Sequence, residues 1–162
     1  MKLPRRFPIS NAPKESGFTL IEILVTVAII TVLVGMALFL SFDSFRRYNL
    51  NAERDMLVGV LETARSRALN NMFESQHGVC YLSPGNYSLF RGATYDVAKS
   101  EIMPSNGAIS VTGLATCAQG SAAGVIFTQL TGAPTAAVGT ITLSDGAKSK
   151  TIDINNEGTI IW

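Results

Sequence analysis

The sequence predicts an α+β fold in which one long N-terminal helix packs on an antiparallel β-sheet. Three observations carry that prediction. No charged residue occurs from Ile23 to Phe42, where Ile, Leu, Val, Met and Phe dominate. A helical spacing of apolar residues then continues to about Met72, and from Val79 onward the periodicity is two. A run of about 20 apolar residues is long enough to cross a bilayer core as a helix. The amphipathic continuation needs a partner for its apolar stripe, and a sheet is what the remaining chain offers.

Residues 1–17 are polar, basic and proline-containing, and no fold is expected of them. Lys2, Arg5, Arg6 and Lys14 all precede the apolar run, which by the positive-inside rule keeps that end cytoplasmic and places the C-terminus outside. Within the run, Thr26, Thr31 and Gly35 are small or hydroxylated residues of the kind that let membrane helices approach closely. No proline lies between Phe18 and Pro84, so the helix is expected to be continuous.

After Phe42, Leu50, Leu57, Leu61, Ala64 and Ala68 follow 3.6-residue spacing to a helix end near Asn70-Asn71. Arg46, Arg47, Glu53, Arg54, Asp55, Glu62, Arg65 and Arg67 are assigned to the other faces. Arg65 and Arg67 read as a solvated helix face, with a partner-binding patch as the alternative. The strands expected next are Val79–Leu82 and Tyr87–Phe90, joined as a hairpin by Ser83-Pro84-Gly85-Asn86. Ile109–Thr112 and Val125–Thr128 add two more. A closing meander runs from Thr140–Leu143 through Asp145-Gly146 to Thr151–Ile154, then through Asn155–Gly158 to Thr159–Trp162. Gly-, Ala- and Ser-rich loops are expected at Ala93–Asn106, Gly113–Gly124 and Thr131–Gly139.

One short stretch, Gly17-Phe18-Thr19-Leu20-Ile21-Glu22, stands at the head of the apolar run. A carboxylate at the middle of a membrane helix costs about 2.5–3.5 kcal/mol on insertion scales, so one kept at the edge invites a reason. Read alone, Glu22 could simply lie at headgroup depth. Read with its neighbours, behind a short basic leader, the stretch resembles the processing site of type IV pilin-like proteins, the pilins and the pseudopilins of type II secretion. The resemblance implies that a prepilin peptidase cuts between Gly17 and Phe18 and methylates the new amine of Phe18. Glu22, then the fifth mature residue, would meet the N-terminal amine of a neighbouring subunit in a filament. The implied domains are a leader at 1–17, a transmembrane and polymerisation helix at 18–42, and an extracytoplasmic pilin-like domain at 43–162.

A second, looser likeness lies in Leu61-Glu62-Thr63-Ala64-Arg65-Ser66-Arg67-Ala68 followed by Val79-Cys80, which resembles the GspH/FimT branch of minor pseudopilins and minor pilins. It implies a minor subunit that helps to initiate or cap a type IV pilus or a type II secretion pseudopilus at the bacterial inner membrane. The implied partners are other pilins or pseudopilins, the prepilin peptidase, and a membrane platform with its cytoplasmic ATPase. A pilus-tip receptor for DNA is the alternative within that branch, and an uncleaved signal anchor unrelated to filaments is a third reading.

The chain has 162 residues, and those beyond the leader and span suffice for one small domain and not two. Mean hydropathy of +0.27 is raised by the apolar run and is no sign of several spans. The formal charge of +1 is carried by the leader; the remainder has nine Lys and Arg against eleven Asp and Glu. That balance does not favour nucleic acid, although a local cluster around Arg91 and Lys99 remains open. Cys80 and Cys117 fall in the extracytoplasmic part, where a disulfide is the natural reading and two separate buried thiols the alternative.

No enzyme and no cofactor are expected. With His77 as the single histidine, a triad with a spare base is poorly supported. His77 and Cys80 have a spacing that suits zinc, but a structural site wants four ligands. Asp145, Asp153 and Glu157 match no tight calcium loop and read as solvated turn residues. Gly113 to Gly124 lacks the lysine and the strand-to-helix context of a phosphate loop.

Overall fold

The computed structural model describes residues 17–83, 85–136 and 139–162, with the backbone alone at 39–43. The leader reading of residues 1–16 lies outside the described residues, as do Pro84 of the first predicted turn and Ala137 and Val138 of the last predicted loop. Two compact units divide the chain, Met1–Ser41 and Phe42–Trp162. One helix, α1 (Leu20–Leu69), supplies its first half to one unit and its second half to the other.

In the first unit, Leu20–Leu38 has a mean hydropathy of 2.6 and none of it is buried. By length and composition it is the one described helix able to cross a membrane. Its two threonine hydroxyls are satisfied within the helix. Thr26 donates to the Ile23 carbonyl at 2.9 Å, and Thr31 donates to the Val27 carbonyl. Bonding inside their own turns leaves no bare hydroxyl to meet an apolar medium.

In the second unit the predicted stripe is the buried one. Leu57, Leu61, Ala64 and Ala68 are fully covered and Leu50 nearly so, because residues three and four apart share a helix side. Glu53, expected on a solvated face, lies inside that stripe at 4 % exposure. Helical spacing from Leu50 and Leu57 turns position 53 inward regardless of its charge. Two bonds make the burial tolerable: the Tyr87 hydroxyl donates to Oε1 at 2.7 Å and the Asn106 backbone N–H to Oε2 at 2.9 Å. Burial first, then the Glu53 carboxylate, pushes the Tyr87 phenol well above its ordinary range.

Arg65 and Arg67 also depart from the expected solvated face. Arg67 forks onto Glu101, with Nη1 2.8 Å from Oε1 and Nη2 3.0 Å from Oε2, and Arg65 Nη2 donates to the Glu157 carbonyl at 3.2 Å. Both flank the stripe, where a long side chain can lay its stem on the core and carry its head to a neighbouring element.

Eight strands follow: β1 (His77–Leu82), β2 (Asn86–Arg91), β3 (Ser100–Pro104), β4 (Ser110–Thr112), β5 (Val125–Phe127), β6 (Ile141–Ser144), β7 (Ser149–Ile154) and β8 (Ile160–Ile161). The expected single sheet is instead two sheets of four antiparallel strands, ordered β3-β2-β1-β5 and β4-β6-β7-β8. The hairpin and the closing meander follow from local turns, but the partners of β4 and β5 are distant in sequence, and no local signal assigns them. β3 lies within Ala93–Asn106, which was expected to be loop. Its sequence Ser-Glu-Ile-Met-Pro carries no alternation because it is an edge strand, largely open on both faces and ended by proline.

The first sheet is covered twice. Val79, Tyr87, Leu89, Val125 and Phe127 join the core built on α1, while Cys80, Phe90, Tyr95 and Ile126 form a second cluster on the opposite face, against Cys117. That is why β1 and β2 are buried in runs without alternation. Just before β5, Gly124 has φ 91°, and a Cβ there would stand 2.0 Å from the Val79 carbonyl oxygen, so only glycine fits. The second sheet alternates as predicted, sending Ile141, Leu143, Ile152, Ile154 and Ile160 inward. Its turns are closed by side chains: Asp145 accepts from the backbone N–H of Ala147 and Lys148, and Asn155 from those of Glu157 and Thr159.

Candidate processing and assembly site

α1 begins at Leu20, and Thr19 caps it. The Thr19 carbonyl accepts from the N–H groups of Glu22 at 3.1 Å and Ile23 at 3.2 Å, and Thr19 Oγ1 lies 3.3 Å from the same Glu22 nitrogen. A threonine followed three residues later by glutamate is the spacing of a capping box. Glu22 also occupies the first turn, where the positive end of the helix dipole favours an anion. Glu22 therefore has a local role in this chain alone. Sequence reasoning passed over Thr19, although Thr-x-x-Glu before an apolar run is a legible helix start.

Gly17 and Phe18 stand ahead of the capped turn in open backbone. Phe18 is 78 % exposed. A Cβ added at Gly17 would meet nothing within 4 Å, and its φ lies outside the left-handed region. The fold places no demand for glycine there. A demand from outside, such as close approach by a protease backbone, is met by a residue with no side chain.

The other site residues singled out from the sequence belong to the second unit. Cys80 and Cys117 are joined by a disulfide with S–S 2.08 Å and Cα–Cα 5.2 Å. The loop bearing Cys117 is also stitched to β1: Tyr81 N–H donates to the Ala115 carbonyl at 3.0 Å and Cys117 N–H to the Tyr81 carbonyl at 2.8 Å. Cys80 is thus engaged by sulfur, not poised beside His77 for a metal. Asp145 serves its own turn and Asp153 accepts from the Thr140 hydroxyl. Among the described residues no group of three or more His, Cys, Asp or Glu converges. Arg91 and Lys99 line one cavity, where Arg91 lies over the Phe73 ring at 4.5 Å and Lys99 Nζ stands 3.7 Å from Asp96.

Residues 12–38 match the family described as Prokaryotic N-terminal methylation motif. No curated protein and no solved structure matches the chain. The matched segment contains Gly17, Phe18, Thr19, Glu22 and the exposed apolar part of α1. It supports a type IV pilin-like subunit, processed by a prepilin peptidase and assembling with other pilins, and the single apolar helix fits anchorage in the inner membrane.

Proposed function

We propose that this chain is a minor pilin or minor pseudopilin that helps to initiate or cap a type IV pilus or a type II secretion pseudopilus. One observation carries the reading: the matched segment runs through the Gly17-Phe18 junction into a capped apolar helix half, with Glu22 in its first turn, that its own chain leaves exposed. A helix apolar all round needs lipid or other helices as its surroundings. Cleavage between Gly17 and Phe18 would put a new ammonium beside the positive end of α1, an unfavourable place for a cation. The Glu22 carboxylate of a neighbouring subunit offsets that charge within the apolar filament core, and the pairing makes subunit register specific. The unbroken helix from Leu20 to Leu69, with no proline, favours a minor subunit or a pseudopilin. The carboxyl-terminal domain would lie outside the cytoplasm, the basic leader inside.

The DNA-receptor reading has less support, because beyond the leader nine Lys and Arg stand against eleven Asp and Glu and no basic residue follows Lys150. The test begins with the N-terminal mass of protein purified from its native membranes. A methylated Phe18 terminus is expected, and an intact Met1 terminus would sink the filament reading. Given that terminus, Glu22→Ala is expected to remove the chain from assembled filaments while leaving it cleaved and membrane-bound. Removing one member of a buried charge pair costs about 3–5 kcal/mol, enough to exclude a subunit from a polymer.

A further inference from the structure

At one end of the first sheet, four charged or polar side chains reach a common space from four elements. The register sets His77 opposite Arg91 and Leu89 opposite Glu101. Directly opposed residues share a sheet face, as do residues two apart, so His77, Arg91, Leu89 and Glu101 all belong to the face that packs on α1. Arg67 reaches the same place from the helix. A cavity of about 230 Å³ opens there, lined by Arg67, Phe73, His77, Arg91, Lys99 and Glu101 among others.

The polar groups around this cavity are unequally satisfied. Glu101 is occupied by the fork from Arg67. Lys99 keeps only a long 3.7 Å pair with Asp96. Arg91 has the Phe73 ring against its face and, among the described residues, no carboxylate partner. Phe73 is held in position by a left-handed backbone, with φ 57° between Asn71 at 54° and Glu74 at 50°. Stacking on a ring face leaves the N–H edge of a guanidinium free to donate. His77 is the independent sign of a missing partner. It is 1 % exposed, and among the described residues neither ring nitrogen makes a hydrogen bond of good geometry, the Ser75 backbone being the one such group close enough to act on the ring. Buried polar groups are nearly always paired, so an orphan imidazole on a cation-lined cavity calls for an explanation.

We propose that this cavity binds an oxyanion head group, a carboxylate or a phosphate carried on a small molecule, held by the Arg91 guanidinium edge, the Lys99 ammonium and a ring N–H of His77. Three cations against two carboxylates, Glu101 held by Arg67 and Asp96 at a long distance from Lys99, leave Arg91 to set the charge preference, and the exposed Phe73 ring offers a surface for an apolar portion of the ligand. The site is built within the second unit and does not depend on the filament reading.

His77 is the single histidine, so its ring signals report on this cavity alone. The full chain in neutral detergent is titrated with inorganic phosphate, with acetate and with chloride at matched ionic strength, following the His77 ring protons by NMR. A saturable shift with phosphate or acetate and none with chloride is expected, and the anion that saturates at lower concentration identifies the head group. Arg91→Gln should weaken that binding about tenfold or more. Lys99→Gln, at an exposed position, should weaken it too should Arg91→Gln fail to fold, and Lys150→Gln should leave it unchanged. An equal response to chloride, marking an adventitious ion only, would overturn the proposal. So would the absence of any saturable shift, or unchanged binding in a folded Arg91→Gln or Lys99→Gln chain.

Discussion

Residues 20–38 and 44–69 belong to one helix and face opposite problems. Beyond Glu22 in its first turn the first stretch is apolar on every side, and none of it is buried by the chain. The second carries a single stripe, Leu50 to Ala68, and the two sheets bury it completely. Helicity is the same in both, so hydrogen bonding along the backbone does not distinguish them. What differs is where the apolar surface is satisfied: within the fold for the second stretch, and outside the chain for the first. A subunit that must be both membrane-anchored and water-exposed needs that division.

The sharpest way to test the comparison is a matched pair of truncations measured on the full chain in detergent. Leu61→Ala should lower the unfolding free energy of the 42–162 unit by about 2–5 kcal/mol, since Leu61 is fully buried. Leu24→Ala, at an exposed position in the span, should leave that unfolding midpoint where it was. Equal losses would mean the two halves are not energetically separate.

A somewhat smaller effect is expected from Cys80→Ser with Cys117→Ser. The disulfide bridges a sequence separation of 37, and removing it should cost about 2–4 kcal/mol. Denaturant unfolding with and without reductant should reproduce that difference in the wild type and show none in the double variant.

Tyr87→Phe comes next. It deletes the 2.7 Å bond to Glu53 and leaves that carboxylate with one partner inside the stripe, an expected loss of about 1.5–3 kcal/mol for a hydrogen bond to a charged group. A loss below about 0.5 kcal/mol would show that water reaches Glu53 instead.

The smallest expected effect is a pH dependence confined to the second unit. Burial first, then the Arg67 charge and more weakly that of Arg91, holds the His77 imidazole below its ordinary 6.5, with the Ser75 backbone and Glu101 opposing. The unfolded chain then takes up a proton near pH 6.5 that the folded chain refuses, so stability falls as pH drops through 6.5. Glu101, held below its ordinary 4.5 by its hydrogen bond to Arg67, contributes stability that is present above pH 4.5 and lost below it. Unfolding midpoints measured from pH 8 to 4 should decline in those two steps, and His77→Gln should erase the first while sparing the second.

Much of the unit was legible residue by residue. The stripe from Leu50 to Ala68 and the alternating isoleucines of β6 and β7 are periodic, and period translates directly into a face. The charge of Glu53 points to exposure, but its place between Leu50 and Leu57 is the stronger signal and turns it inward. β3 was missed because an edge strand buries neither face and so leaves no alternation to find. The Thr19 cap is legible from Thr-x-x-Glu before an apolar run, and it uses the backbone N–H of Glu22.

By itself, the sequence determined the apolar run, the Gly17-Phe18 junction with Glu22 behind it, the helix stripe and the turns of the closing meander. Each is set by residues close together in the chain, through local periodicity or a short motif. The tertiary structure alone decided that the strands form two sheets, that Tyr87 and Asn106 satisfy Glu53, that Arg67 reaches Glu101, and that His77 lies unpartnered beside Arg91. Those contacts join residues tens of positions apart, and only the folded chain pays the loop-closure entropy that brings them together.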